Sequence, residues 1–70
     1  MIQYYKYTFI CEGINASGEK DVIEQYYVHQ TEEEARRGLI HTLTHLFHFY
    51  PKNLKLNRIN KWESSLFLFD

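Results

Sequence analysis

The sequence predicts an α+β fold, a small antiparallel sheet in ββαββ order with one helix packed on one face. Three observations carry that expectation. Thr31 to Tyr50 repeats its apolar residues at helical spacing, two runs rich in tyrosine, isoleucine and valine flank a polar segment with two glycines, and every connection is short. Short connections favour antiparallel neighbours. Seventy residues make a single domain, 1–70, and a chain of this size buries only about 60% of the surface it exposes when unfolded.

Residues 2 to 12, IQYYKYTFICE, contain neither glycine nor proline and are dense in aromatic and β-branched side chains, which fit a pleated, half-buried surface. They read as the first strand. Alternation puts Tyr5, Tyr7, Phe9 and Cys11 on the core face, with Ile2, Tyr4, Lys6, Thr8 and Ile10 on the other. Ala16-Ser17-Gly18 then suits a type I turn followed by a left-handed glycine, making a hairpin. The second strand runs from Lys20 to His29. A parity shift at the glycine bulge would add Val22, Tyr26 and Val28 to the core face, leaving Ile23, Gln25, Tyr27 and His29 on the other, and this register pools polar residues on one side. A one-residue slip would exchange every one of those positions.

Thr31 stands where an N-cap belongs, and Glu34 three residues later completes the capping-box pattern. Glu32, Glu33 and Glu34 set negative charge against the positive end of the helix dipole. Advancing about 100° per residue groups Ala35, Leu39, Leu43, Leu46, Phe47 and Tyr50 on the buried side. Pro51 is expected to end the helix. Gly38 weakens a helix interior by about 1 kcal/mol relative to alanine, or marks the close approach of another backbone. Beyond the YPKN turn, Leu54 and Leu56 alternate with polar residues until Ile59 breaks the pattern, as a bulge or a strand end would. Leu66 to Phe69 reads as a fourth strand.

The charge balance is −1 with neutral histidines and +3 with all four protonated, so no strong field points to nucleic acid or anionic lipid. One cysteine, Cys11, forms no internal disulfide, and no apolar run approaches the roughly 18 residues that span a bilayer. The expected setting is cytoplasmic, without a membrane partner or a cofactor.

Four features bear on function. Arg37, His41, His45 and His48 project from the exposed side of the helix, and histidines four apart stand one turn above each other. His41 and His45 are thus metal candidates, able to bridge two chains, but three in-line histidines cannot surround one ion and a solvated face is the simpler reading. Aromatic residues make up 17% of the chain. On an open sheet face Tyr4, Lys6 and Tyr27, with His29 beside them, can form a protein contact surface or a platform for unpaired bases. Lys52, Lys55, Arg58 and Lys61 lie along the third strand, where lysine commonly guards an edge against aggregation. Cys11 with a histidine is the only nucleophile and base pair on offer; it falls on the core face, so no enzyme is expected.

The hairpin followed by the acidic-capped EEEAR segment resembles a supersecondary unit of many unrelated small α+β domains. Compact phage and plasmid proteins that bind and inhibit larger host machinery are among them. The resemblance implies a binding module and assigns no functional residue. The expectation is therefore a small non-enzymatic protein-binding module, self-association included, acting by occupying a partner surface. The alternatives are a single-stranded nucleic-acid binder and a histidine-bridged metal dimer.

Overall fold

The computed structural model describes residues 2–62. Within them the chain forms β1 (Tyr4–Ile14), β2 (Lys20–His29), α1 (Glu32–His45) and β3 (Tyr50–Trp62). The strands make one antiparallel sheet in the order β2-β1-β3, and α1 covers one face of it. This is the expected α+β layout, with the strand expected at 66–69 lying outside the described residues.

The hairpin closes on three residues. The Asn15 amide donates to the Glu19 carbonyl at 2.8 Å and the Gly18 amide to the Asn15 carbonyl at 2.9 Å, with Gly18 at φ 82° as a type I turn with a left-handed glycine requires. The Asn15 side-chain oxygen also accepts the amides of Ser17 and Glu19. A three-residue tip places Asn15 opposite Glu19, and every later pair keeps that parity: Cys11 faces Ile23, Phe9 faces Gln25, Tyr7 faces Tyr27 and Tyr5 faces His29. The expected parity shift is therefore wrong. Ile23, Gln25, Tyr27 and His29 share the core face with Tyr7, Phe9 and Cys11, while Val22, Tyr26 and Val28 lie on the opposite one. Turn geometry outweighs the pooling of polar side chains, because it constrains the backbone directly.

Thr31 caps α1 in extended geometry, accepting the Glu34 amide at 3.2 Å. Its hydroxyl donates in turn to the Glu34 carboxylate at 2.9 Å, so the reciprocal bond of the capping box runs through the hydroxyl instead of the Thr31 amide. Ala35, Leu39 and Leu43 are buried against Phe9, Cys11 and Leu54, as the spacing predicts. Arg36 fastens this layer. Its guanidinium bonds Glu32 one turn back, donates to the Leu54 carbonyl of β3, and lies over the Phe9 ring at 5.0 Å.

The helix ends at His45, five residues before the expected Tyr50. The Leu46 amide still bonds the Thr42 carbonyl, but His48 takes a left-handed conformation at φ 53°, and the Phe49 amide folds back to the Leu43 carbonyl at 2.8 Å. Phe49 is buried, whereas Leu46, Phe47 and Tyr50 are 72%, 56% and 51% exposed. The apolar stripe outruns the helix because the chain has to reverse here to enter β3. Pro51 does not stop the helix; it sits within β3 opposite Gly13, next to a register shift, where a missing amide is tolerated. A second shift between Thr8 and Phe9 inserts Asn57 between Leu56 and Arg58, which returns Ile59 to the face of Leu54 and Leu56. The break read from the sequence is a bulge.

Candidate functional site

The face of the sheet turned away from α1 carries the even-numbered residues of β1. Thr8 sits between Tyr26 and Arg58, Lys6 between Val28 and Asn60, Ile10 between Glu24 and Lys55, and Ile14 between Lys20 and Tyr50. Val22 and Tyr26 are 60% and 52% exposed, while Ile10, Ile14 and Val28 are half-buried. Among the described residues this surface mixes apolar and aromatic side chains with a surplus of cations.

The polar groups there fall into two kinds. Glu24 accepts from Asn57 at 3.2 Å and Glu12 from Asn53 at 3.3 Å, so both carboxylates are engaged by amides reaching across from β3. The ammonium of Lys6 lies over the Tyr26 ring, 4.3 Å from its centre, an arrangement worth about 0.5–1 kcal/mol at an exposed site. No ion pair among the described residues involves Lys6, Lys20, Lys55 or Arg58; the pairs present involve His29, Arg36 and Arg37. Among the described residues, four cations thus stand against two carboxylates on this face of a chain whose formal charge is −1. Lys6, Thr8, Tyr26, Arg58 and Asn60 line a shallow hollow of about 210 Å³. A larger open one, about 550 Å³, lies by the hairpin between Ile14, Val22 and Lys52.

Tyr4 and Lys6 stand on this face. Tyr27 and His29 do not. The Tyr27 ring packs over Gly38 of the helix and stacks on His29, with centroids 6.5 Å apart and an interplanar angle of 13°. His29 Nδ1 lies 2.8 Å from the Gln30 amide and 3.3 Å from a Glu34 oxygen. One ring nitrogen cannot accept from the first and donate to the second at once, so the two contacts require different positions of the ring proton. Among the described residues the face presents Tyr26 and Tyr50 as its most exposed aromatic side chains, with Val22, Arg58 and Asn60 near Tyr26. The place of Tyr26 was readable from the three-residue tip, whose odd length pairs odd with odd.

Arg37 bonds Glu33 at 2.9 Å, with both side chains about three-quarters exposed, and is an ordinary surface helix pair. His41 and His45 remain side by side on the solvent side of α1, ring centres 4.4 Å apart, but His48 lies beyond the helix and leaves the row. Among the described residues no group of three or more histidine, cysteine, aspartate or glutamate side chains is placed to hold a metal ion. Cys11 is fully buried, its thiol pushed up from the usual range by burial, with Sγ 3.8 Å from the Phe9 carbonyl oxygen. It belongs to the core cluster, on the face where the sequence places it. No described helix is long and apolar enough to cross a membrane.

Comparison with family models, with curated proteins and with solved structures finds no match to this chain.

Proposed function

We propose that this protein is a small non-enzymatic binding module that docks a protein partner on the sheet face opposite α1 and acts by occupying that partner's surface. The observation carrying this reading is that, among the described residues, the one helix covers one face only, while Val22, Tyr26 and Tyr50 remain more than half exposed on the other. Tyrosine and arginine are enriched where protein interfaces concentrate their energy, and Tyr26 and Arg58 border one hollow here. Regulation or inhibition of a larger assembly is the finer form of this proposal, and it rests on the resemblance of the hairpin and acidic-capped helix alone.

The test is affinity capture from the native cell with the wild-type chain beside a Tyr26→Ser, Arg58→Glu variant, paired with sedimentation equilibrium of the purified protein. A specific protein retained by the wild type and lost by the variant, or a self-association the variant abolishes, supports the reading. Identical capture profiles and a monomer in both cases overturn it.

A second reading is favoured by the cations flanking Tyr26, since bases can stack on an exposed ring while Lys6 and Arg58 hold phosphate. It predicts that a labelled single-stranded oligonucleotide binds at low salt, weakens as salt rises, and is lost in Tyr26→Ser. Absence of binding at 50 mM salt removes it.

A further inference from the structure

The two histidines of the solvent side belong to none of the contacts that build the fold. Both are exposed, and no ion pair or hydrogen bond ties either ring to another described group; each has the other as its ring contact. They occupy positions four apart on a capped helix whose preceding turns are secured by Leu39 and Leu43 in the core. Their relative placement is set by the backbone and not by their own attraction.

We propose that His41 and His45 form a two-histidine binding site for a divalent transition-metal ion of the nickel, copper or zinc type. Imidazole nitrogens bind such ions at about 2.0–2.1 Å, which puts the ring centres of two ligands on one ion roughly 4.5–5 Å apart. The observed 4.4 Å needs only a small turn of the rings. The two nitrogens then occupy neighbouring corners of the coordination sphere, the arrangement that tetragonal Ni²⁺ and Cu²⁺ prefer. The remaining positions face solvent. Electrostatics help as well, because His45 lies in the last turn, where the negative end of the helix dipole favours a cation. The ion bridges two turns, so it binds the helix more tightly than the unfolded chain, and occupancy raises the stability of the fold.

This site lies on the opposite side of the molecule from the proposed docking face and stands or falls separately from it. Tag-free protein is titrated with Ni²⁺ at neutral pH by calorimetry, and its melting temperature is followed with and without a chelator. The expected result is binding in the micromolar range, a rise in Tm on the order of 10 °C at a hundredfold excess of ion over Kd, and at least a tenfold loss of affinity in either His41→Ala or His45→Ala. His48→Asn, which suits the left-handed backbone there, keeps the wild-type affinity. Alanine at these exposed helical positions favours the helix, so the variants fold. One ion per chain, or one per two chains with the second copy filling the open positions, both fit the site. No binding below millimolar nickel, or wild-type affinity in both alanine variants, overturns it.

Discussion

Gly38 shows how one residue can be read correctly as unusual and still for the wrong reason. A methyl group there would stand 2.4 Å from the Tyr27 ring, so the close approach is by a side chain and not by another backbone. Helix propensity alone would make Gly38→Ala stabilising by about 1 kcal/mol, but displacing a packed aromatic ring typically costs about 1–3 kcal/mol. Net destabilisation is the expected outcome in a denaturant titration, and it should shrink when the change is made in a Tyr27→Ala background. Tyr7 supplies a second residue-scale prediction. Burial, chiefly, and the neighbouring Tyr5, Glu32 and Glu34 raise its ionisation above the ordinary tyrosine value of 10.0. A folded-state value above the unfolded one means that the stability it contributes is complete below about pH 10 and is lost as pH rises through the folded value. Cys11, raised by burial from 9.0, acts in the same direction and begins earlier. Thermal melts should therefore fall away on the alkaline side, and Tyr7→Phe should flatten the part above pH 10; an unchanged alkaline limb would remove Tyr7 from this account.

At the scale of elements, the turn between β1 and β2 decides more than any side-chain preference. Asn15 holds it with one side-chain oxygen accepting two amides, and Gly18 takes the conformation that other residues avoid. Gly18→Ala should cost about 1–2 kcal/mol from backbone strain alone, since nothing crowds the added methyl. Asn15→Ala should cost about as much by freeing two amides, each bond contributing about 0.5–1.5 kcal/mol; chemical denaturation of both variants checks the pair. What was legible in the chain follows the same division. The faces of β1 and the Thr31 cap were readable because strict alternation and a capping residue are local signals. The register of β2 was not, because Val22, Tyr26 and Val28 look as apolar as Ile23 and Tyr27, and only the odd length of the tip separates them. The end of α1 was not either. Leu46, Phe47 and Tyr50 continue the helical stripe, and the choice of Phe49 for the core depends on the pocket that Gly13 opens in β1, where an added methyl would meet the Tyr50 carbonyl and the Phe49 ring within 3 Å. For the candidate site, Tyr4 and Lys6 came with the first strand, while Tyr26 and Arg58 waited on the register and on the Asn57 bulge.

At the scale of the whole molecule, the two faces of one sheet should answer mutation differently. Under α1, Phe9 and Leu43 are fully buried, and removing such a side chain leaves a cavity that costs about 2–5 kcal/mol. On the far face Val22 and Tyr26 are more than half in water, so Val22→Ser should stay within roughly 0.5 kcal/mol of the wild type. Tyr26→Ser also gives up the Lys6 contact and should stay within roughly 1 kcal/mol. For a chain of 70 residues the core change shifts Tm by at least about 8 °C, while those on the far face move it by only a few degrees. Leu43→Ala beside Val22→Ser and Tyr26→Ser, compared by thermal melting of dilute protein, makes the contrast direct. If Tyr26→Ser destabilises like Leu43→Ala, the tyrosine is spent on holding this chain together and is not free to meet another. If Tyr26→Ser moves Tm only that little at low concentration but abolishes a rise in Tm that appears on concentrating the wild type, then the uncovered face is where a second molecule binds.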